Sequence, residues 1–468
     1  MDIQAENVGA SPGERSDASE RPSSAAASGV VLVIGQTDVG RRACALLQDA
    51  GTSTIHLDDP SDAELAAALH AGVTGVAVLL HDDIRALRYS LVAEHLRPGI
   101  RLFVAIFDRT VRKQLETTVP NCVVLSPASI SVPSIVAAAI APEHSAIRRR
   151  GSSLEAQWVS IDAPGRDGDD LAHTEPYSTS ARLRAKGLVG RLRGQLHAYD
   201  SGSAVLLGGA FGLLAIILID TVIGLQHNSL VRALYDATRT TATISAPTLG
   251  EHAWELLWAT IAALLVMGFT AAFAAGIVHH LLSGRHVALF GRRVIPHTGH
   301  VIIVGMGQVG IRLAQELRAL GVAVLGVERF GDASGLGLAR DLNIPVIIGD
   351  ATSRRVLKRA AIDGAVALVA AGSQERDSIA VALSATAVAP GLQVVLRAGA
   401  DDAIDETRSL FPIGPVIDVN GLTAAFVARS LLGAQPYAVI PDRDHVICVL
   451  DPDSAPVTQR SVSTRCTC

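Results

Sequence analysis

The residues with the clearest chemical potential are three glycines in Gly305-Met306-Gly307-Gln308-Val309-Gly310. They follow directly on the apolar run Val301–Val304 and open a helical pattern through Leu320. A strand that ends in a glycine turn and a helix start is built to hold phosphate. Gly305 permits the tight turn, Gly307 lets the backbone approach a pyrophosphate, and Gly310 lets the helix pack on the strand. The amides of the helix N-terminus then face the negative charge. A second apolar run, Val322–Val327, ends in Glu328. That residue stands roughly 20 positions beyond the glycines, where a carboxylate accepts hydrogen bonds from ribose hydroxyls. Its charge would repel a 2′-phosphate, so the expected ligand is NAD(H), with ATP and ADP as adenosine alternatives, rather than NADP(H). Arg329 beside it is a further candidate contact. The cysteines Cys44, Cys122, Cys448, Cys466 and Cys468 have no metal-ligand spacing, so no metal site is expected and the thiols read as reduced. No catalytic residue is assigned. A hydride-transfer enzyme needs an acid or base beside the nicotinamide, and the chain has no Tyr-x-x-x-Lys and no motif-placed His.

These residues have to be positioned by a parallel sheet. After Glu328, the runs Pro345–Ile348, Val366–Ala370, Gln393–Arg397 and Pro415–Ile417 read as strands, and Gly421–Leu432 as a closing helix. Short apolar runs alternating with helical patterns indicate parallel strands buried on both faces. This plan covers 299–433, and a second copy of it covers 29–142. There Val30–Ile34 leads into Gly35-Gln36-Thr37-Asp38-Val39-Gly40 and a helix through Gln48. Further strands are expected at Thr54–Leu57, Val76–Leu80, Leu102–Ile106 and Cys122–Leu125, before a helix over Ile130–Ile140. Thr37 occupies the place of the middle glycine, and a β-branched residue there keeps a pyrophosphate away. The spacing differs too. Some 18 residues separate Asp58 from the next clear strand, against 38 from Glu328 to Val366. The first copy thus has room for one helix-strand unit fewer and reads as a non-binding repeat.

At 468 residues the chain accommodates two or three domains, and a net charge of −5 argues against nucleic acid as a partner. Residues 1–28 read as a disordered tail without the basic start and apolar core of a signal peptide. Residues 143–200 read by composition as a linker with one strand at Gln157–Ile161, and 434–468 as a C-terminal extension with two strands. Between the α/β segments, Ser203–Ile223 and Leu256–His279 are each near the ~20 residues needed to cross a bilayer. Arg182, Arg184, Lys186, Arg191 and Arg193 precede the first run, and His279, His280, Arg285, His286, Arg292 and Arg293 follow the second. The positive-inside rule then puts both α/β segments and both termini in the cytoplasm, with anionic head groups of membrane lipids against the basic runs. Trp254 and Trp258 fall at the outer interface. The expected fold is a membrane protein, α/β plus transmembrane α. Two Rossmann-like domains flank a two-helix hairpin over 201–282, in the plasma membrane.

The loop between the spans carries Ala233-Leu234-Tyr235-Asp236-Ala237 and then Thr240 and Thr243-Ile244. It is similar to the pore helix and filter entry of two-span potassium channels. The similarity implies a re-entrant loop over 229–250, pore positions Thr243, Ile244, Ser245 and Ala246, and a monovalent cation as cargo. That family continues with glycines that turn successive carbonyls onto the ion. Here Ser245-Ala246-Pro247 follows instead, and proline fixes φ at about −65°, so a carbonyl-lined potassium filter is not expected. The segment 299–433, through Gly305–Gly310, Glu328, Gly349-Asp350-Ala351-Thr352 and its closing strand and helix, resembles an RCK domain, a regulator of potassium conductance also known from Trk/Ktr-type uptake systems. The resemblance implies that Asp350, Ala351 and Thr352 line the nucleotide site with Glu328. It also implies that the closing helix pairs subunits of a homo-oligomer, a tetramer. Glu375-Arg376-Asp377-Ser378 departs from the Asp-Asp-x-x-Asn often found in that family. The function expected is a nucleotide-regulated monovalent cation channel or transport protein, not an enzyme. Two alternatives stay open: a non-conducting nucleotide-sensing membrane subunit, and a membrane-anchored NAD-dependent oxidoreductase.

Overall fold

The computed structural model describes residues 29–106, 109–151, 153–159, 172–195, 201–226, 228–242, 253–282, 294–398, 414–442, 445–449 and 457–460. The first α/β unit runs β1 (Val30–Ile34), α1 (Asp38–Asp49), β2 (Thr54–Leu57), α2 (Asp62–His70), β3 (Val73–Val78), α3 (Asp83–Leu96), β4 (Arg101–Ala105), α4 (Arg109–Thr118), β5 (Cys122–Leu125) and α5 (Pro127–Ile140). Its strands form one parallel sheet in the order β2-β1-β3-β4-β5. β1, Val-Val-Leu-Val-Ile, is apolar on both faces because helices cover both.

Beyond α5 the structure departs from the compositional reading. Residues read as linker form an antiparallel sheet of β6 (Ala146–Arg150), β7 (Ser153–Val159) and β8 (Ala172–Pro176). Three arginines in β6 hide the pattern. Ala146, Ile147 and Ala156 are nevertheless buried, because neighbouring elements supply the apolar partner that the strands lack by themselves. A helix α6 (Ala181–Gln195) follows, then α7 (Ser201–Gly224), α8 (Leu230–Thr241) and α9 (Ala253–Leu282). The tail 1–28 and the pore positions Thr243, Ile244, Ser245 and Ala246 lie outside the described residues.

The second α/β unit has β9 (His300–Val304), α10 (Gln308–Ala319), β10 (Ala323–Glu328), α11 (Gly335–Asp341), β11 (Val346–Ile348), α12 (Arg354–Arg359), β12 (Ala365–Ala370), α13 (Glu375–Val388), β13 (Gln393–Ala398), β14 (Val416–Asp418) and α14 (Val419–Leu431). Its six parallel strands lie in the order β11-β10-β9-β12-β13-β14, the doubly wound 3-2-1-4-5-6 arrangement. Among the described residues the first sheet has no strand in the place of β11, the unit for which its 18-residue spacing leaves no room. Three antiparallel strands, β15 (Ala438–Asp442), β16 (His445–Val449) and β17 (Val457–Arg460), follow α14, one more than the sequence pattern predicts.

The two units exchange their closing helices. α5 packs on α10 and on β12 and β13 of the second unit, while α14 packs on α1 and β3 of the first. One apolar core therefore runs through both, from Val31 and Leu47 to Ile303, Leu317 and Leu422. Each buried Val or Leu contributes about 1.5–3 kcal/mol, so this seam dominates the pairing. Polar pins fix its register: Arg42 pairs with Asp418, Gln393 Nε2 donates to the Ala138 carbonyl at 3.0 Å, and Arg101 to that of Leu431 at 3.3 Å. The closing helix expected to pair subunits is thus engaged inside one chain. The reason is stoichiometric, because the chain carries both copies and each supplies the face that the other's helix needs.

In the hairpin, the stretches Ala204–Gly224 and Leu256–His279 are long and apolar enough to cross a membrane. Glycines set their approach. A Cβ at Gly209 would lie 2.7 Å from the Phe273 nitrogen, and one at Gly276 2.6 Å from Leu206 Cβ. The opposite faces, including Leu214, Leu218, Leu264 and Met267, are exposed. Trp258 Nε1 donates to the Asp220 carboxylate at 2.8 Å, so the one acid inside the first run has a partner on the second. α8 lays Ala233 and Ala237 against α7 beside Gly224.

Candidate functional site

The three glycines of the second unit have separate duties. Gly305 has φ +90° and meets the backbone of Gly372, so a side chain is excluded twice over. A Cβ at Gly310 would fall 2.0 Å from the Gly305 carbonyl, which is the close packing of α10 on β9. Around Gly307, by contrast, a Cβ would meet nothing within 4 Å. Gly307 is the N-cap of α10 with no side-chain cap, so the first-turn amides and the positive end of the helix dipole look into open space.

That space is a cleft of about 520 Å³ at the carboxyl ends of the strands. Glu328, last residue of β10, reaches over the loop. Its carboxylate accepts from the Met306 amide at 2.7 Å and from the Arg329 amide at 2.9 Å. Asp350 sits one strand further out and accepts from the Thr352 amide at 2.9 Å and hydroxyl at 2.8 Å. Those bonds, helped by nearby Arg329, hold the Asp350 carboxyl below its ordinary value. The Arg329 guanidinium lies 3.8 Å from Asp350 and 3.7 Å from Asp377. Asp377, in the stretch that departs from the Asp-Asp-x-x-Asn pattern, therefore faces the same cleft.

The structure brings Gly305, Gly307, Gln308, Glu328, Arg329, Asp350, Ala351 and Thr352 to this one cleft. Met306 contributes only backbone, because its side chain is fully buried against Gly326. Val309 is nearly so, and Gly310 is wholly a packing residue. Sequence reasoning missed the opposite wall. Thr37, Leu79 and His81 of the first unit line it, with Pro127 and Ala128 at the start of α5 and Asn420 and Thr423 on α14. Thr37 stands in the glycine pattern of the first copy, where it reads as non-binding; no local motif marks the others, because the helix exchange is what carries them there. Arg397 and Gly335 were also missed. A Cβ at Gly335 would lie 1.8 Å from the Met306 carbonyl, which is how α11 closes over the glycine loop.

In the first unit the equivalent helix start is capped. The Thr37 hydroxyl accepts from the Gly40 amide at 3.2 Å and donates to the Leu79 carbonyl at 2.9 Å. It caps α1 in the place that Gly307 leaves open beside α10.

Residues 301–412 match the model of the TrkA-N domain. A stretch of 114 residues is 28% identical to "Potassium channel protein 1" of Methanocaldococcus jannaschii, covering 24% of this chain and 34% of that protein. The chain therefore spans about a third of this curated relative. Among solved structures it is similar to the GsuK channel, with a TM-score of 0.47 and 13% identity over 88% of this chain and 66% of that one. It is also similar to the GsuK channel bound to NAD, with a TM-score of 0.46 and 13% identity over 86% and 63%. The second α/β unit, with its doubly wound sheet and open glycine loop, is thus the part of the chain that is similar to a TrkA-N domain of the RCK type.

Proposed function

We propose that this chain is a nucleotide-regulated membrane protein of the potassium-channel kind, with the cleft of the second unit as sensor and the α7–α9 hairpin as the membrane element. The observation that carries the reading is the uncapped N-terminus of α10 at Gly307, open to a cleft with a carboxylate at Glu328. The residues present fit an adenosine nucleotide. The α10 amides would hold its phosphates and Glu328 its ribose hydroxyls, with Arg329, Asp350 and Thr352 around them. Glu328 favours NAD(H), ATP or ADP over NADP(H), whose 2′-phosphate it would repel. The archaeal relative, a potassium channel protein by name, supports the potassium part of this proposal, and the open glycine loop of the TrkA-N domain supports the nucleotide part.

The assembly is a homo-oligomer, a tetramer in this reading. Both termini lie in the cytoplasm of the plasma membrane, and the exposed hairpin faces lie against lipid. Nucleotide acts by binding one arrangement of the two units better than another, since a ligand moves an equilibrium only by its differential affinity. The cleft is read as a sensor rather than an active site, and purified protein should oxidise no NADH.

The test is monovalent cation flux, potassium first, in liposomes with NAD, NADH, ATP and ADP compared, for the natural chain and for Gly307→Asp. Flux that changes with a nucleotide in the natural chain and ignores it in the variant supports gating. Flux indifferent to both defeats it. The Ser245-Ala246-Pro247 sequence favours a second reading, a non-conducting sensing subunit. That reading takes over if nucleotide binds but no condition gives flux.

A further inference from the structure

A second, smaller cavity of about 160 Å³ lies away from the cleft, where α4, β5 and the start of α5 meet β6, β7 and β15. Its most unusual occupant is Gln157. The side chain is 1% exposed and lines the cavity, yet neither its oxygen nor its nitrogen has a hydrogen-bond partner among the described residues. A buried amide left unmade costs about 1–3 kcal/mol per group, so a site that keeps one has a use for it.

The surroundings are cationic. Arg148 lines the cavity with its guanidinium 5.0 Å from the centre of the Tyr437 ring. Glu155, opposite Arg148 across the β6–β7 ladder, offsets part of its charge but is itself engaged by the Tyr437 hydroxyl and by Arg150 at 3.7 Å. Burial pulls the Arg148 guanidinium below its ordinary value, as expected of a charge with too little compensation. Arg112 is a second guanidinium on the wall, itself tied to Glu116 at 3.2 Å and to the Val124 carbonyl at 2.7 Å. Ser126, the N-cap of α5 with no side-chain cap bond, and Ser129 complete the polar lining. The cavity thus runs along one flank of α5, through Ser126, Ser129, Ile130 and Pro133, and faces Arg148 across it. Among the described residues no carboxylate lines the cavity.

We propose that this cavity binds a small phosphate-class oxyanion that still carries a proton, between Arg148, the Gln157 amide and the serines Ser126 and Ser129 on the flank of α5. Charge selects an anion, and the volume is less than a third of the nucleotide cleft, which excludes a whole nucleotide. Gln157 supplies the finer selection. Its amide is both donor and acceptor, so its nitrogen serves an anionic oxygen while its oxygen accepts from a P–OH group. Hydrogen phosphate matches both halves. Sulfate, fully ionised at neutral pH, leaves the amide oxygen unmade.

The experiment is a thermal melt of the full-length Gly307→Asp chain in detergent, titrated with inorganic phosphate and, at matched ionic strength, with sulfate. The Gly307→Asp background keeps phosphate from the α10 N-terminus out of the measurement. The expected result is a saturable rise in Tm with phosphate at least ~10-fold tighter than with sulfate. It should be lost in Arg148→Met and in Gln157→Leu. Gln157→Leu removes the unmade amide, so without phosphate it should melt no lower than its parent, which separates lost binding from lost fold. No saturable response to phosphate, an equal response to sulfate, or a response that survives both substitutions would each overturn the proposal.

Discussion

Gly307 and Thr37 are the same position in two copies, and the difference between them is one side chain. In the first copy a hydroxyl caps the helix and ties to Leu79; in the second the cap is absent and the amides are left open. Replacing Gly307 by Thr should therefore abolish nucleotide binding, measured by calorimetry, while leaving the fold intact or stabilising it by roughly a few tenths of a kcal/mol, the difference between Thr and Gly as N-cap. The reverse change, Thr37→Gly, should lower stability by a similar amount and create no affinity, because the first sheet has no counterpart of β11 among the described residues to carry an Asp350. His300 gives a separate handle on the second unit. It is fully buried at the start of β9, with Nε2–H directed to the Ala360 carbonyl at 2.9 Å, and burial pushes its pKa down to about 4. Unfolded, it takes a proton near pH 6.5; folded, it resists until pH 4. The neutral imidazole therefore costs no stability above pH 6.5, and stability is lost as pH falls from 6.5 towards 4, by up to about 3 kcal/mol. Chemical denaturation at about pH 7 and about pH 4.5 should show His300→Gln losing less than the natural chain over that interval.

Among the elements, the swapped helices decide how the two units hold together. Leu422 on α14 is buried in the shared core. Leu422→Ala should cost about 2–5 kcal/mol and loosen both units together, seen as one shifted transition. Arg42→Ala, which breaks a partly exposed pair with Asp418, should cost only about 1 kcal/mol. This level also marks the reach of sequence reasoning. The strand, glycine turn and helix at 301–320, the acidic end of β10 and both apolar runs are local patterns, and all were legible. The exchange of α5 and α14 was not, because Val132 and Leu422 read equally well as packing on their own sheets. The β6–β8 sheet was hidden for a related reason. Ala146 and Ala156 are buried by elements distant in sequence, and Arg-Arg-Arg next to them reads as a solvated run. The cleft's second wall, at His81 and Thr423, was lost with the exchange that builds it.

At the scale of the molecule, α6, the helix ahead of the hairpin in sequence, packs against the entry to the second unit. Its arginines read in sequence as a membrane-facing run, but its glycines lie against the second unit. A Cβ at Gly190 would stand 2.2 Å from the Thr298 carbonyl and one at Gly194 2.1 Å from that of Ile295, and the His297 amide donates to Gly190 at 3.1 Å. Gly190→Leu should therefore uncouple any nucleotide-dependent flux without changing nucleotide affinity, the two being measured on the same preparation. α6 and Ile295–Thr298, which flank the hairpin in sequence, are thus fastened to each other beside the second unit. In engineering terms, the two flanks of the hairpin share a single mount. If the second unit shifts, α6 and Ile295–Thr298 shift with it as one piece, so a displacement there is delivered to both flanks of the hairpin together.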